Sequence, residues 1–405
     1  MSSNSISVVI PSHDCDNSIN ATIDSVLNQS IPVYELIIVP NGSEEHNRKI
    51  VAAIKSKHRL ISCEPRVSRK PYVPFEEPYA YFAGICKGKN KDVYTRLLII
   101  CKTFGNKADA LNSAMFYSTG KYLVTVDADT ILSKHCLREL YNVAMVNKNI
   151  VAIGGLVYPM RLNPTILSAF QLMEYETSFL IARRFFNMLN CTMLLSGALS
   201  MFRKDVLNAA GGFRTDTVGE DMEVTVRLQK LACEYHTPYK IQYTPKAVCF
   251  TVIPQNFGAL FRQRMRWHMG LMEVLWIHKE MFFNIKHGIR GLLAMPYLLF
   301  VELLSAFIVL IGAIITGILY WANVYSLQGI IIPITVMVAL YESLMLLTYM
   351  LHIKHFEKRS RLSGKLLCVF IGLIAIFIYR PLLNIAKIKA MLWYKKYKGK
   401  WLRSR

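Results

Sequence analysis

Short apolar runs of strand length alternate with amphipathic stretches over the first 250 or so residues. Residues 6–11 are apolar, and Ile19, Ile23, Val26 and Leu27 follow at helical spacing, with Asn17 or Ser18 placed to cap them. The alternation continues through 34–39, a helical pattern over 44–58, then 96–100, a second helical pattern over 107–118, and Tyr122–Val126. This order predicts an α/β fold: a mostly parallel sheet covered on both faces, with ligands beyond the carboxyl ends of its strands. Residues 66–94 break the alternation. Pro71, Pro74 and Pro78 stand among Tyr72, Phe75, Tyr79, Tyr81 and Phe82, no period fits, and the expectation is an inserted loop.

Past Leu292 the pattern becomes continuous. Residues 292–321 carry one charge, Glu302, and 329–351 carry Glu342; each run exceeds the twenty or so residues that cross a hydrocarbon core. Their connection, 322–328, holds no charge, which places it outside and both basic flanks inside. A third run, 366–379, stops at Arg380–Pro381 and suits a re-entrant segment as well as a span. The hairpin reading, broken at Pro381 with 382–393 folding back, returns a tail of eight Lys or Arg residues to the cytoplasm. Glu302 and Glu342 each lie about nine residues from the inner end of a span, roughly 13 Å deep at 1.5 Å per residue. Costly at that depth, they read as one shared polar site or as two separate protonated residues. The organisation expected is a cytosolic catalytic domain over 1–255, interfacial amphipathic helices over 256–291, a membrane region over 292–385 and a basic tail over 386–405.

Composition agrees. The chain has 405 residues, 53% of them hydrophobic, and a positive mean hydropathy of +0.28. Its net charge of +21 resembles that of a nucleic-acid binder, but the cations cluster beside the apolar runs, after Ile385 and between Lys354 and Lys365. There they meet anionic headgroups, so the partner predicted is the lipid bilayer and not nucleic acid. Nine cysteines, scattered singly with no CxxC, read as reduced thiols and not as a disulfide frame or zinc site. The apolar patch Ser7 to Ile10 is too short for a signal-peptide core, so the catalytic part is expected in the cytosol.

Three motifs carry chemistry. Tyr122–Val126 runs into Asp127-Ala128-Asp129, and on an extended chain both carboxylates face one point, an arrangement that suits a hard divalent cation. Read blandly, they are two solvated turn residues. Gly219-Glu220-Asp221 precedes a helical run from Met222, where a lone carboxylate is either a helix cap or a base. Gln263-Arg264-Met265-Arg266-Trp267 falls in a helix over roughly 256–283, with Gln263, Arg266 and Trp267 on one face. A guanidinium there can clamp phosphate, and an indole can stack on a sugar. The plain alternative is an amphipathic helix lying on lipid.

Taken in order, Ser7-Val8-Val9-Ile10-Pro11, Lys107-Ala108-Asp109-Ala110-Leu111-Asn112, Asp127-Ala128-Asp129, Ser196-Gly197-Ala198, Gly211-Gly212-Phe213, Gly219-Glu220-Asp221 and Gln263–Trp267 resemble the family 2 glycosyltransferases. The chain is most similar to the processive membrane synthases of poly-N-acetylglucosamine, chitin, hyaluronan and cellulose, over residues 5–290. The resemblance implies a GT-A fold and inverting, metal-dependent transfer from a nucleotide-sugar, UDP-linked, at the plasma membrane in a multi-pass protein. Carried over, Asp129 with Asp127 holds Mg2+ or Mn2+, and Asp221 is the general base. Pro11, Asn41, Lys107, Asp127, Asp129, Gln263 and Arg266 bind donor; Ser196, Gly197, Ala198 and Trp267 meet a glycan or lipid acceptor. Accessory export proteins are left unspecified. Pro40-Asn41-Gly42-Ser43 departs from the family's Asp-Asp-Gly-Ser, whose aspartate helps recognise uracil; Asn41 offers a base edge a donor as well as an acceptor. Asp14 stands where asparagine is frequent. Two other readings are single-sugar transfer to a lipid carrier and an inactive nucleotide-sugar sensor.

Overall fold

The computed structural model describes residues 6–13, 18–63, 73–87, 94–103, 105–160, 165–356 and 362–397. Asn17, Asp14, residues 66–72 and 88–93 of the expected insertion, and residues 398–405 of the basic tail lie outside them. The chain forms two compact units, one of residues Met1–Met160 and Phe186–Val252, the other of Arg161–Phe185 and Ile253–Arg405.

In the first unit β1 (Ile6–Ser12), α1 (Ile19–Leu27), β2 (Glu35–Pro40), α2 (Glu44–Lys55), β3 (Leu60–Ser62), β4 (Ala80–Lys87), β5 (Tyr94–Cys101) and α3 (Lys107–Tyr117) follow in order. Then come β6 (Tyr122–Val126), β7 (Thr130–Leu132), α4 (Cys136–Val146) and β8 (Ile150–Met160). The ten-stranded sheet has the order β3-β4-β5-β2-β1-β6-β9-β8-β10-β7, with β9 (Leu199–Arg203) and β10 (Lys240–Val252). Strands β5, β2, β1 and β6 are parallel neighbours, as their continuous apolar runs demand, because both faces are buried. Beyond β6 the pairing turns antiparallel through β9, and β10 pairs β8 in parallel but β7 antiparallel. The sheet is therefore mixed and not mostly parallel. Strand β9 separates β6 from β8 and reverses the direction.

The insertion expected over 66–94 also contains a strand. Strand β4 pairs antiparallel with β5 along its full length and with β3 at the edge. Its period was hidden by Ala80, Ala83 and Gly84; a Cβ at Gly84 would stand 2.4 Å from the Arg59 carbonyl, so only glycine fits there. Helix α3 is buried almost all round, from Ala108 to Met115, and packs into the core with Val9, Ile37, Leu98 and Leu123. Helix α1 starts after Ser18, whose side chain makes no cap bond and instead donates to the Ala128 carbonyl at 3.3 Å. The described cysteines are all free.

In the second unit, α5 (Ile166–Glu176) begins with Thr165 and Ser168 in a capping box and continues through a π-turn, Thr177–Ala182, toward α6 (Arg183–Met188). (α7, Lys204–Ala209, and α8, Glu220–Glu234, belong to the first unit.) Helix α9 spans Phe257–Ile277, with the Asn256 side chain accepting from the Ala259 N–H at 2.9 Å. Leu167, Phe170, Leu260, Ala375, Tyr379 and Leu383 form its core. The first apolar run is bent by 58° between Arg290–Leu303 and Ser305–Trp321. Leu327–His355 and Gly364–Leu392 are each 29 residues and apolar enough to cross a membrane. The fold-back expected at Pro381 is absent: the helix continues through it. A π-turn over Ala375–Tyr379 precedes the proline and widens the turn that its ring would otherwise strike. Glu302 accepts from the Tyr297 hydroxyl at 2.9 Å, while Glu342 lies against Gly372.

Lys102, fully buried at the end of β5, pairs with Asp109 of α3 at 2.6 Å. The same two side chains hold both polar groups of the Glu76 backbone: Lys102 Nζ donates to its carbonyl and its N–H donates to Asp109 at 2.8 Å. Burial pulls the lysine pKa down, and Asp109 opposes that. Lys102→Ala leaves a buried carboxylate uncompensated and is expected to cost about 3 kcal/mol or more, read as a lowered midpoint in chemical denaturation of the first unit's signal.

Candidate active site

The carboxyl ends of β1, β2 and β6 lie side by side, and the candidate residues of the first unit gather there. Pro11 and Ser12 close β1 opposite Val39 and Pro40. The next residue on the β2 side, Asn41, donates its N–H to the Ser12 carbonyl at 2.8 Å and bridges Lys102. Its side-chain amide donates to the carbonyls of Gly105 at 3.0 Å and Asn106 at 3.3 Å. Two carbonyl acceptors require the nitrogen on that side, so the side-chain oxygen points the other way as a pure acceptor.

Strand β6 ends at Val126, and the chain then turns: the Thr130 N–H donates to the Asp127 carbonyl at 3.0 Å. Asp127-Ala128-Asp129 is thus a turn and not an extended tripeptide, which corrects the geometric ground on which the pair was singled out. The turn is held from α1, where Thr22 Oγ1 donates to the Ala128 carbonyl at 2.9 Å alongside Ser18. Asp129 accepts from Thr251 Oγ1 at 3.4 Å. Among the described residues no group of three or more His, Cys, Asp or Glu side chains is placed to hold a metal. A cation at Asp127 and Asp129 would draw its other ligands from water and phosphate oxygens, as Mg2+ and Mn2+ sites on nucleotides do.

Lys107, the first residue of α3, stands at the centre. Its Nζ is 2.5 Å from Asp127 Oδ1 and 3.6 Å from Glu220 Oε1. Burial alone would lower its pKa, but Asp127, Glu220 and Asp221 around it reverse the sign and the net shift is upward. Asn106 caps α3 through its side-chain oxygen and so sets where this lysine starts. Asp221 sits inside the first turn of α8, whose N-cap is Gly219. It is not the cap; its carboxylate accepts from the Gly197 N–H at 2.7 Å and from the Met222 N–H at 2.8 Å. Gly197 is a close approach: a Cβ there would come within 2.7 Å of Lys107 Nζ and 3.2 Å of Asp221 Oδ2. Ser196 and Ala198 flank it, with Ser196 taking the Ala198 N–H at 3.4 Å.

The second unit holds the remaining motif. Gln263 is buried, and its side-chain oxygen accepts from Arg264 at 2.5 Å. The guanidinium of Arg264 lies 4.2 Å from the Trp267 ring and pairs with Glu174 at 2.7 Å. Arg264, and not Arg266, therefore links the motif; its signal was its spacing of three from Trp267. Arg266 is half-buried and makes no hydrogen bond or ion pair among the described residues. Trp267 is 45% exposed and lies 6.3 Å from Tyr175.

Glycosyl transferase family 2 matches residues 7–68 and Glycosyl transferase family group 2 matches residues 122–352. A poly-beta-1,6-N-acetyl-D-glucosamine synthase of Staphylococcus epidermidis is 24% identical over 270 residues, 67% of this chain and 55% of that protein. The synthase of Staphylococcus aureus strain MSSA476 is 22% identical over 306 residues, 76% of this chain and 63% of its own. The chain thus spans little more than half the length of the curated relatives it matches. Among solved structures, mannosyltransferase PcManGT from Pyrobaculum calidifontis, in complex with GDP-Man and Mn2+, superposes with a TM-score of 0.53 at 15% identity, covering 93% of this chain and 88% of that one. That likeness establishes the GT-A type of fold.

Glu220 shows the site's electrostatic strain. Burial pushes its pKa from 4.5 up to about 7; Lys107 pulls it back, and Asp221 and Asp127 push with the burial. A carboxyl whose pKa rises on folding contributes stability below its unfolded pKa and loses that contribution as pH climbs through the folded value. Stability of the metal-free protein is therefore expected to fall between about pH 5 and pH 8, and Glu220→Gln to flatten that slope, measured by thermal unfolding across pH.

Proposed function

We propose, for a chain that belongs to Glycosyl transferase family group 2, that it is an inverting membrane synthase. In this reading it moves a GlcNAc- or glucose-type sugar from a UDP-sugar onto a growing polysaccharide, processively, with its catalytic unit facing the cytoplasm. The observation that carries the reading is Lys107, set between Asp127 and Glu220 beside Asp221.

A sugar hydroxyl is a poor nucleophile, and a positioned carboxylate must take its proton during attack. Asp221 has that position: two backbone N–H groups fix its orientation, and Ser196–Ala198 run beside it as the acceptor side. Asp127 and Asp129 would hold Mg2+ or Mn2+, which neutralises charge on the departing diphosphate. Lys107 is assigned to the same phosphates, and Gln263 and Arg266 of the second unit are proposed as donor-binding residues. Asn41 supports uridine, because its free oxygen is an acceptor suited to the imide N–H of uracil, while its amide nitrogen is already taken up by Gly105 and Asn106. Pro11, at the end of β1, is likewise assigned to donor binding. Trp267, exposed and apolar, is assigned to the acceptor sugar. The helices Leu327–His355 and Gly364–Leu392 support a multi-pass location, and the GlcNAc type follows the names of the staphylococcal relatives.

Purified protein given radiolabelled UDP-sugars is expected to release UDP and make sized polymer. Asp221→Asn should lower transfer by about a hundredfold or more with donor affinity unchanged, whereas Asp129→Ala should lose the metal-dependent part of donor binding. Transfer by the asparagine variant at the parent rate would reduce Asp221 to a structural residue. Trp267→Ala is expected to shorten the products at unchanged donor affinity, through loss of a contact of about 1–2 kcal/mol; full-length polymer would make it a packing residue only.

A further inference from the structure

Cys191, Thr192, Met193 and Leu195, between α6 and β9, are buried yet belong to no helix or strand. A buried backbone without a ladder must find its hydrogen bonds elsewhere. Here they come from one face of α8, where Asp221, Thr225 and Gln229 recur at every fourth residue. Gln229 Nε2 donates to the Thr192 carbonyl at 3.0 Å, and the Leu195 N–H donates to Thr225 Oγ1 at 3.4 Å. The Gly197 N–H donates to Asp221 Oδ2 at 2.7 Å. The segment and the helix thus run antiparallel, joined by rungs at 192 to 229, 195 to 225 and 197 to 221.

Thr225 is the middle rung, and it is fully buried. A threonine inside a helix commonly donates to the carbonyl four residues back, and Thr225 does so, to the Asp221 carbonyl at 2.7 Å. What sets it apart is that the same hydroxyl also receives the Leu195 N–H, so it donates and accepts at once. It therefore ties the backbone that carries Asp221 to the backbone that leads, two residues later, into Gly197. That end tolerates little movement, because a Cβ at Gly197 would already stand 2.7 Å from Lys107 Nζ. We propose that Thr225 is a positioning residue for sugar transfer. It fixes the register of Ser196–Ala198 against Asp221, and so the distance from an acceptor hydroxyl to the carboxylate that takes its proton. The inference rests on the reading of Asp221 as general base and adds to it a residue that touches neither donor nor acceptor.

The test uses the full chain in detergent, with kcat for transfer from a UDP-sugar, UDP affinity and the unfolding midpoint measured separately. Thr225→Val keeps the shape and removes the hydroxyl. It is expected to lower kcat about tenfold or more, as small misplacements of reacting groups do, with UDP affinity within about twofold of the parent. Thr225→Ser, which keeps the hydroxyl, should recover most of the rate. Gln229→Met removes the rung farthest from Asp221. Its midpoint should fall with that of Thr225→Val, but its kcat should stay within about threefold of the parent. Parent-level kcat in Thr225→Val, no recovery in Thr225→Ser, or equal loss of kcat in Thr225→Val and Gln229→Met would each overturn the positioning role. Should the valine variant fail to fold, Thr225→Cys, a weak donor and acceptor of similar size, carries the same expectation. Asp221→Asn is run beside them. Its transfer at the parent rate would remove the base, and this role with it; its inactivity beside a parent-level Thr225→Val would sink the role of Thr225 alone.

Discussion

The ion pair between Lys107 and Asp127, at 2.5 Å, is the contact on which the first unit's site depends. It joins the start of α3 to the turn after β6, and the same ammonium reaches Glu220 at the start of α8. Three separate segments thus take their mutual placement from one side chain. The supporting details serve that end. Asn106 caps α3 so that Lys107 begins in the right place, Thr22 and Ser18 hold the carbonyl of Ala128 from below, and Gly197 leaves out the Cβ that would strike the amine.

One lysine does not balance this site. Asp127, Asp129, Glu220 and Asp221 bring four carboxylates; burial first, with Asp221 and Asp127 adding to it, lifts the Glu220 pKa to about 7. A nucleoside diphosphate bound here, as proposed, would add more negative charge, which a divalent cation would offset. In that proposal the call for a metal rests on an excess of negative charge as much as on the two aspartates.

The parts of the fold legible in the sequence are those buried on both faces. β1, β2, β5 and β6 read as apolar runs because helices cover them, and α1, α2 and α3 were marked by helical spacing. What escaped was set by long-range pairing. β4 is a strand because β5 offers it an edge, and its small residues hide the period. β9 reverses the sheet through pairings with β6 and β8 that no local pattern announces. The site followed the same division. Asp127, Asp129 and Asp221 were named from motif order, yet the turn at Ala128 and the hold of Gly197 on Asp221 depend on segments about 20 to more than 100 residues away.

The second unit shows how polar groups persist among apolar helices. Glu174 is stabilised where α5, α9 and Gly364–Leu392 meet, by one guanidinium and one phenol, so that its charge never faces hydrocarbon unmatched. Tyr379 can make this contact because the helix carrying it is not broken at Pro381. The π-turn over Ala375–Tyr379 takes up the strain of the proline and sets the tyrosine hydroxyl on Glu174, with Arg380 next in the chain along a cavity wall. Proline, read from the sequence as the end of a helix, instead marks the point where a continuous helix turns its polar residues inward.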